Sequence, residues 1–170
     1  MRILLYLLKT LEEIGGMWMC ELKNEYYSIA LNDIGFLRYA LQTDYYNQIS
    51  IQCQQIAEKL LKSVLNEVAT GCEALLHSHN LRGIYDKIHS IDSNFILNRG
   101  DLSILKDIYF DAKYPGDNFV TVTREECEDY LRILNDVIVI TNQFRKANSL
   151  EFAECDKLEL QRLEKLSVFK

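Results

Sequence analysis

Residues 45–69, with the sequence YYNQISIQCQQIAEKLLKSVLNEVA, carry the pattern of an amphipathic helix. At about 100° per residue the apolar side chains of this stretch fall in one wide arc. The arc contains Ile49, Cys53, Ile56, Ala57, Leu60, Leu61, Val64 and Val68. Gln54 lies at its margin, Lys59 and Lys62 point away from it, and Glu58 with Lys62 is interpreted as a solvated i,i+4 pair. So wide an arc predicts the central helix of a bundle.

The composition is that of one helical domain. A chain of 170 residues with 48% apolar and 11% aromatic residues can bury a single core. One proline and seven glycines leave long stretches without helix breakers. The net charge of -6 disfavours a general nucleic-acid coat protein, which needs a large positive surface. None of the five cysteines forms a CxxC pair, so we interpret them as reduced residues.

The N-terminus has a short apolar run. Arg2 precedes apolar residues 3–8, but the charged Lys9 ends the run too early for a secretion signal or a membrane span. We therefore expect a cytoplasmic protein that makes no membrane contact. Met17 and Met19 are alternative starts of the natural chain.

A second amphipathic helix is predicted from Tyr26 to Gln42, ahead of the central one. Asp33 lies in the middle of its apolar stripe. A buried carboxylate is costly without a partner, so Asp33 should meet a cation, a histidine or backbone N–H groups.

Capping residues predict three more helices. Asn80 is a good N-cap for a third helix, a turn at residues 98–101 leads into a fourth, and Thr123 with Glu126 supplies a capping box for a fifth. Short connections favour an all-α, up-and-down antiparallel bundle of about five helices. The predicted domains are a helical N-terminal extension at residues 1–24, the bundle at 25–147 and a C-terminal helix at 148–170.

The segment Gln54–Lys59, followed by His79-Asn80-Leu81 and by Tyr114-Pro115-Gly116, resembles the HEPN family. The resemblance runs from about Tyr26 to Ile140. It implies a bundle of about five helices that pairs as a homodimer through helix faces. Family members bind nucleotides, accompany a separately encoded minimal nucleotidyltransferase, or act as metal-independent ribonucleases, some of them in toxin–antitoxin pairs.

The resemblance directs attention to the start of the third helix. His79 and Asn80 match the family's His-Asp-Leu position, with Asn in place of Asp. A helix N-terminus is suited to binding a phosphate. The structural alternative is that Asn80 caps the helix while His79 anchors the loop to a buried polar group such as Asp33 or Gln54.

The loop around Tyr114 is the second candidate. Lys113 stands where many relatives of the family have arginine, so the bidentate fork of an arginine is missing. Lys113 and Tyr114 offer a cation and an aromatic platform for a nucleotide. The alternative is a turn that only shapes the fold.

These residues lead to one main hypothesis. A polar pocket bounded by Asp33, Gln54, Lys59, His79 and the Tyr114 loop holds a nucleotide or receives the active site of a nucleotidyltransferase partner. The chain would then be non-catalytic on its own, with no cofactor and no metal.

Two alternatives remain open. Arg82 and His89 satisfy the loosest spacing of the family's ribonuclease motif, although Gly83 replaces the usual polar residue. With Asp86 between them, they also fit an ordinary solvated helix face. In the third hypothesis the protein is a dimeric scaffold whose last helix binds another protein.

Overall fold

The computed structural model describes residues 25–113 and 119–150, which form six helices and no strand. The helices are α1 (Tyr26–Ala40), α2 (Tyr46–Val68), α3 (Glu73–Leu76), α4 (Leu81–Ile91), α5 (Arg99–Asp111) and α6 (Arg124–Ala147). The predicted all-α bundle is confirmed, and α3 is a single extra turn. The predicted N-terminal extension, nearly all of the predicted C-terminal helix, and Tyr114 lie outside these residues.

α2 is the central helix, as predicted. It packs against α1, α4, α5 and α6, and against the short α3. Seven of the predicted arc residues are buried and Val68 is half-buried. The members of the arc that are buried are Ile49, Cys53, Ile56, Ala57, Leu60, Leu61 and Val64. Burying apolar side chains of this kind is the main source of folding free energy.

The polar side of α2 is covered as well. Glu58 is only 8% exposed and Lys62 only 5%, so their interpretation as a solvated surface pair is wrong. The physical reason is that several helices pack against α2, and they cover the face that carries Glu58 and Lys62. Both ionic side chains must therefore find partners inside the bundle.

The predicted helix caps are confirmed. The Asn80 side chain accepts a hydrogen bond from the Gly83 N–H at 3.2 Å and so begins α4. Thr123 and Glu126 form a reciprocal capping box at the start of α6. These contacts satisfy N–H groups that would otherwise be unpaired at the two helix ends.

Asn47, near the start of α2, holds both ends of the loop between α5 and α6. Its Nδ2 donates to the carbonyl of Ala112 at 3.3 Å and to that of Val120 at 2.8 Å, and its Oδ1 accepts from the Val122 N–H at 2.9 Å. One side chain thus ties Ala112 to Val120 and Val122. Across the described helices, none has the length and apolarity needed to cross a membrane.

Candidate functional site

Glu58 is the centre of a polar network inside the bundle. Its carboxylate accepts from Gln54 Nε2 at 2.8 Å, from Lys62 Nζ at 2.7 Å and from His79 Nδ1 at 3.0 Å. Gln54, Glu58 and Lys62 are spaced four residues apart on α2 and therefore share one face. His79 reaches this face from the loop that precedes α4. Since an ionised carboxylate only accepts hydrogen bonds, the hydrogen lies on Nδ1 of His79.

The network keeps Glu58 ionised. Burial alone would raise the pKa of this carboxyl, but the hydrogen bonds from Lys62, His79 and Gln54 outweigh burial and hold the pKa below its ordinary value. The buried charge is therefore compensated mainly by Lys62, whose side chain is 7% exposed. Such a pair is costly to break from one side, because the remaining charge is left inside the protein.

A cavity of about 230 Å³ opens beside this network. It is lined by Gln54, Gln55, Glu58, Lys59, His79 and Tyr109. The rings of His79 and Tyr109 are nearly parallel, at 18°, with centroids 5.9 Å apart. The His79 side chain is 57% exposed. The cavity therefore combines two aromatic faces with a polar wall, which are the groups that planar heteroaromatic ligands use.

Two lysines flank the cavity. Lys59 lines it and donates from Nζ to Asp33 Oδ2. Lys113 donates to the Tyr109 hydroxyl at 2.8 Å and lies 4.5 Å from the centroid of that ring. Cations close to an aromatic cavity suit a ligand that also carries negative charge.

Asp33 meets a cation, as the sequence predicted, but it is not the anchor of His79. It pairs with Lys59, and its side chain is 22% exposed. His79 does contact a buried polar group, as one of the two interpretations expected, but that group is Glu58 and neither Asp33 nor Gln54. Gln54 contributes indirectly, by donating to the same carboxylate.

The structure brings together most of the predicted ligand-binding residues. Gln54, Lys59 and His79 line the cavity, and Lys113 joins it through Tyr109. Asp33 stands behind Lys59 and does not line it. Asn80 caps α4 and faces a different cavity. Tyr114 lies outside the described residues.

Three site residues, Glu58, Lys62 and Tyr109, were not predicted from the sequence. The signal for the first two was the four-residue spacing of Gln54, Glu58 and Lys62 on a helix that was itself predicted to be central. A polar row on a central helix can be covered by neighbouring helices, but the spacing alone does not show that it is. Tyr109 could not be found this way, because its contact with His79 depends on where a loop residue comes to lie.

Arg82 and His89 do not share a cavity. Arg82 lines a larger cavity of about 480 Å³ between α4 and α5, to which His89 does not contribute. Asp86, between them on α4, binds Arg99 through two hydrogen bonds of 2.8 and 2.6 Å. His89 instead places Nδ1 3.0 Å from the Phe95 carbonyl oxygen and stacks on Tyr85. Arg82 and His89 are both half-buried, so the helix face they share is only partly solvated.

Residues able to bind a metal do not cluster in the described ranges, where no group of three or more histidine, cysteine or acidic side chains could hold an ion. Cys53 and Cys127 are buried free thiols, and Cys72 is a half-buried one. Burial raises the pKa of the Cys53 and Cys127 thiols. A raised pKa keeps them in the unreactive thiol form.

A comparison with protein families finds one match. The model of the HEPN domain matches residues 24–144, which is most of the chain and includes all six helices apart from the end of α6. No curated protein and no solved structure matches the sequence.

Proposed function

The chain belongs to the HEPN domain family, and from this premise we propose that it is a nucleotide-binding module whose ligand occupies the cavity beside Glu58 and His79. What the family supports in general is a nucleotide-related or ribonuclease-type domain. The choice of nucleotide binding, and of this cavity, is our proposal. It rests on the geometry of the Glu58–His79 pair.

The single observation that carries the proposal is the way His79 is held. Glu58 binds Nδ1, so Nε2 is the nitrogen left to accept a hydrogen bond in the neutral ring. The ring itself is more than half exposed and lies against Tyr109 at the cavity. A positioned imidazole beside an aromatic ring can stack on a base and bond its edge.

The charges of the site support the same ligand. A nucleotide brings a phosphate, Lys59 lines the cavity, and Lys113 binds Tyr109 of the cavity wall. Burial of Glu58 and Lys62 also favours a functional role, because a buried ion pair is often no more stable than an apolar replacement of the same volume.

We propose that the module does not catalyse a reaction alone and that it works with a separately encoded minimal nucleotidyltransferase and as a homodimer. Support comes from other members of the family, among which both the nucleotidyltransferase partner and the homodimer occur. Phe36, Tyr39 and Tyr45 are exposed around a groove of about 420 Å³ and offer one apolar surface for such contacts. Co-expression with the partner and light scattering of the pure chain test the two associations.

Thermal unfolding in a panel of nucleotides tests the proposed ligand. A nucleotide at a hundred times its Kd should add about 2.7 kcal/mol to the free energy of unfolding. At the same nucleotide concentration, His79→Ala should reduce the increase by at least about half, as expected for binding that is at least about tenfold weaker. His77→Ala is the matched control, because His77 is an exposed histidine of the same loop. If the wild-type chain shows no increase with any nucleotide, the proposal is wrong.

A metal-independent ribonuclease that uses Arg82 and His89 is the rival function. Its support is the spacing of the two residues and the anchored ring of His89, whose Nε2 is the basic nitrogen. Incubation of the pure chain with RNA in EDTA separates the two functions. RNA cleavage that is lost in His89→Ala and kept in His79→Ala would favour the ribonuclease. RNA left intact by the wild-type chain would exclude the ribonuclease.

A further inference from the structure

The amide of Gln54 has a fixed orientation. Glu58 already accepts hydrogen bonds from Lys62 and His79, and it accepts a third from Gln54 Nε2 at 2.8 Å. A carboxylate cannot donate, so the nitrogen of the amide must be the atom that faces Glu58. The oxygen, Oε1, then points away from Glu58.

Oε1 of Gln54 is a buried acceptor without a hydrogen bond. Gln54 is 1% exposed, lines the cavity beside His79, and its Oε1 has no hydrogen-bonding partner among the described residues. Buried polar atoms are nearly always paired, and Gln54 lines the cavity, so we infer that a ligand in this cavity supplies the donor. The missing partner is an N–H or O–H group.

We propose that Gln54 Oε1 selects a nucleobase that carries an exocyclic amino group. This inference rests on the proposed nucleotide-binding function and adds the class of base. The aromatic faces of His79 and Tyr109 assign the base, and not the sugar, to this cavity. A base whose amino group is replaced by hydrogen leaves Oε1 unpaired and binds more weakly.

Matched pairs of nucleotides that differ only in the amino group test the inference. The pairs are AMP with purine riboside monophosphate, GMP with IMP, and CMP with its analogue that has hydrogen at position 4. Calorimetric titration of the wild-type chain should show, in at least one pair, a Kd at least about tenfold lower for the amino compound. Ribose 5-phosphate should bind more weakly than any of the amino nucleotides.

Two variants test whether Gln54 causes the preference for the amino compound. Gln54→Met removes the acceptor while keeping the length of the side chain, and it should reduce the tenfold preference to less than about twofold. Gln48→Met is the control, because Gln48 is an exposed glutamine of the same helix that does not line the cavity, and it should keep the preference. If Gln54→Met folds poorly, the matched nucleotide pairs measured on the wild-type chain still test the inference.

The possible failures are distinct. Equal affinities within all three pairs, or a preference that survives Gln54→Met, would overturn the role of Gln54 and leave nucleotide binding intact. Ribose 5-phosphate binding as tightly as AMP would show that the sugar supplies the donor, and would also overturn the inference. Absence of binding by every nucleotide would overturn the proposed function, and this inference with it.

Discussion

His79 and His89 stand at opposite ends of α4, and each places Nδ1 3.0 Å from an oxygen atom. For His79 the oxygen belongs to the buried carboxylate of Glu58, and the ring lines a cavity with Tyr109. For His89 it is the main-chain carbonyl of Phe95, and the ring stacks on Tyr85 of its own helix. The two histidines share a local geometry and differ in what surrounds it.

The difference is the one we expect between the proposed ligand-binding residue and a residue that stabilises the fold. The contact between His89 and the Phe95 carbonyl ties the end of α4 to the turn that leads into α5, which is a common structural use of a histidine. His79 is held by a charge whose burial costs free energy, beside open space. An anchored imidazole therefore indicates a site only when a cavity and a compensated charge accompany it.

Removing the Glu58 carboxylate has the largest expected effect, which is a loss in the free energy of unfolding. Glu58→Ala leaves Lys62 buried without its anion, and loss of one partner of a buried pair lowers the free energy of unfolding by about 3–5 kcal/mol. Urea unfolding measures the change. Glu67→Ala, at an exposed position of the same helix, should stay within about 0.5 kcal/mol of wild type. A loss below about 1 kcal/mol for Glu58→Ala would show that the network is not buried as described.

Replacing His79 and His89 one at a time tests the comparison between them. His79→Ala should weaken nucleotide binding at least about tenfold, or about 1.4 kcal/mol, because it removes a ring and a hydrogen-bonding group from the cavity. His89→Ala should leave affinity within about twofold and instead lower stability by about 1 kcal/mol, through loss of its bond to the Phe95 carbonyl. Calorimetric titration and urea unfolding give the two quantities. The reverse pattern would place the ligand near His89.

Acid should destabilise the protein through Glu58. Its pKa is lower in the folded than in the unfolded state, so the ionised group contributes stability at neutral pH, and this contribution is lost as the pH falls through the folded pKa, below the ordinary glutamate value of about 4.3. Glu58→Gln removes the titrating group, so its free energy of unfolding should fall less between neutral pH and about pH 3. Equal losses in the two proteins would assign the acid sensitivity to other carboxyls.

The smallest expected effect concerns Asp33. Its ion pair with Lys59 is partly exposed, so its loss should change stability by less than about 1 kcal/mol. Asp33→Asn releases the Lys59 ammonium beside the cavity and should strengthen the binding of nucleotides a few-fold, but not that of nucleosides, with the gain reduced by salt. Binding measured at two salt concentrations tests this. An equal gain in affinity for nucleosides would exclude a phosphate near Lys59.

The local features of the fold could be predicted from the sequence. The apolar arc of α2 follows from its helical period, and the caps at Asn80 and Thr123 follow from side-chain chemistry within one turn. The burial of Glu58 and Lys62 could not be predicted in the same way, because it depends on how several helices cover α2. Identical i,i+4 pairs occur on solvated helices.

The sequence predicted the type of site but not all of its residues. The sequence indicated a carboxylate beside His79 and named Asp33, whereas the structure places Glu58 there and pairs Asp33 with Lys59. Which acid contacts His79 depends on how α1, α2 and the loop before α4 pack together, and this packing is not encoded in a local sequence pattern. Tyr109 could not be predicted, because its contact with His79 is a tertiary one.

The histidine ring signals in a proton–nitrogen NMR spectrum give the most direct test of the central claim, that a nucleotide binds against His79. The chain has three histidines, at positions 77, 79 and 89, so alanine variants assign every ring. Titration with an amino-bearing nucleotide should shift the His79 signals in a saturable manner and leave those of His89 in place. Saturable shifts at His89 with an unchanged His79 would contradict the account.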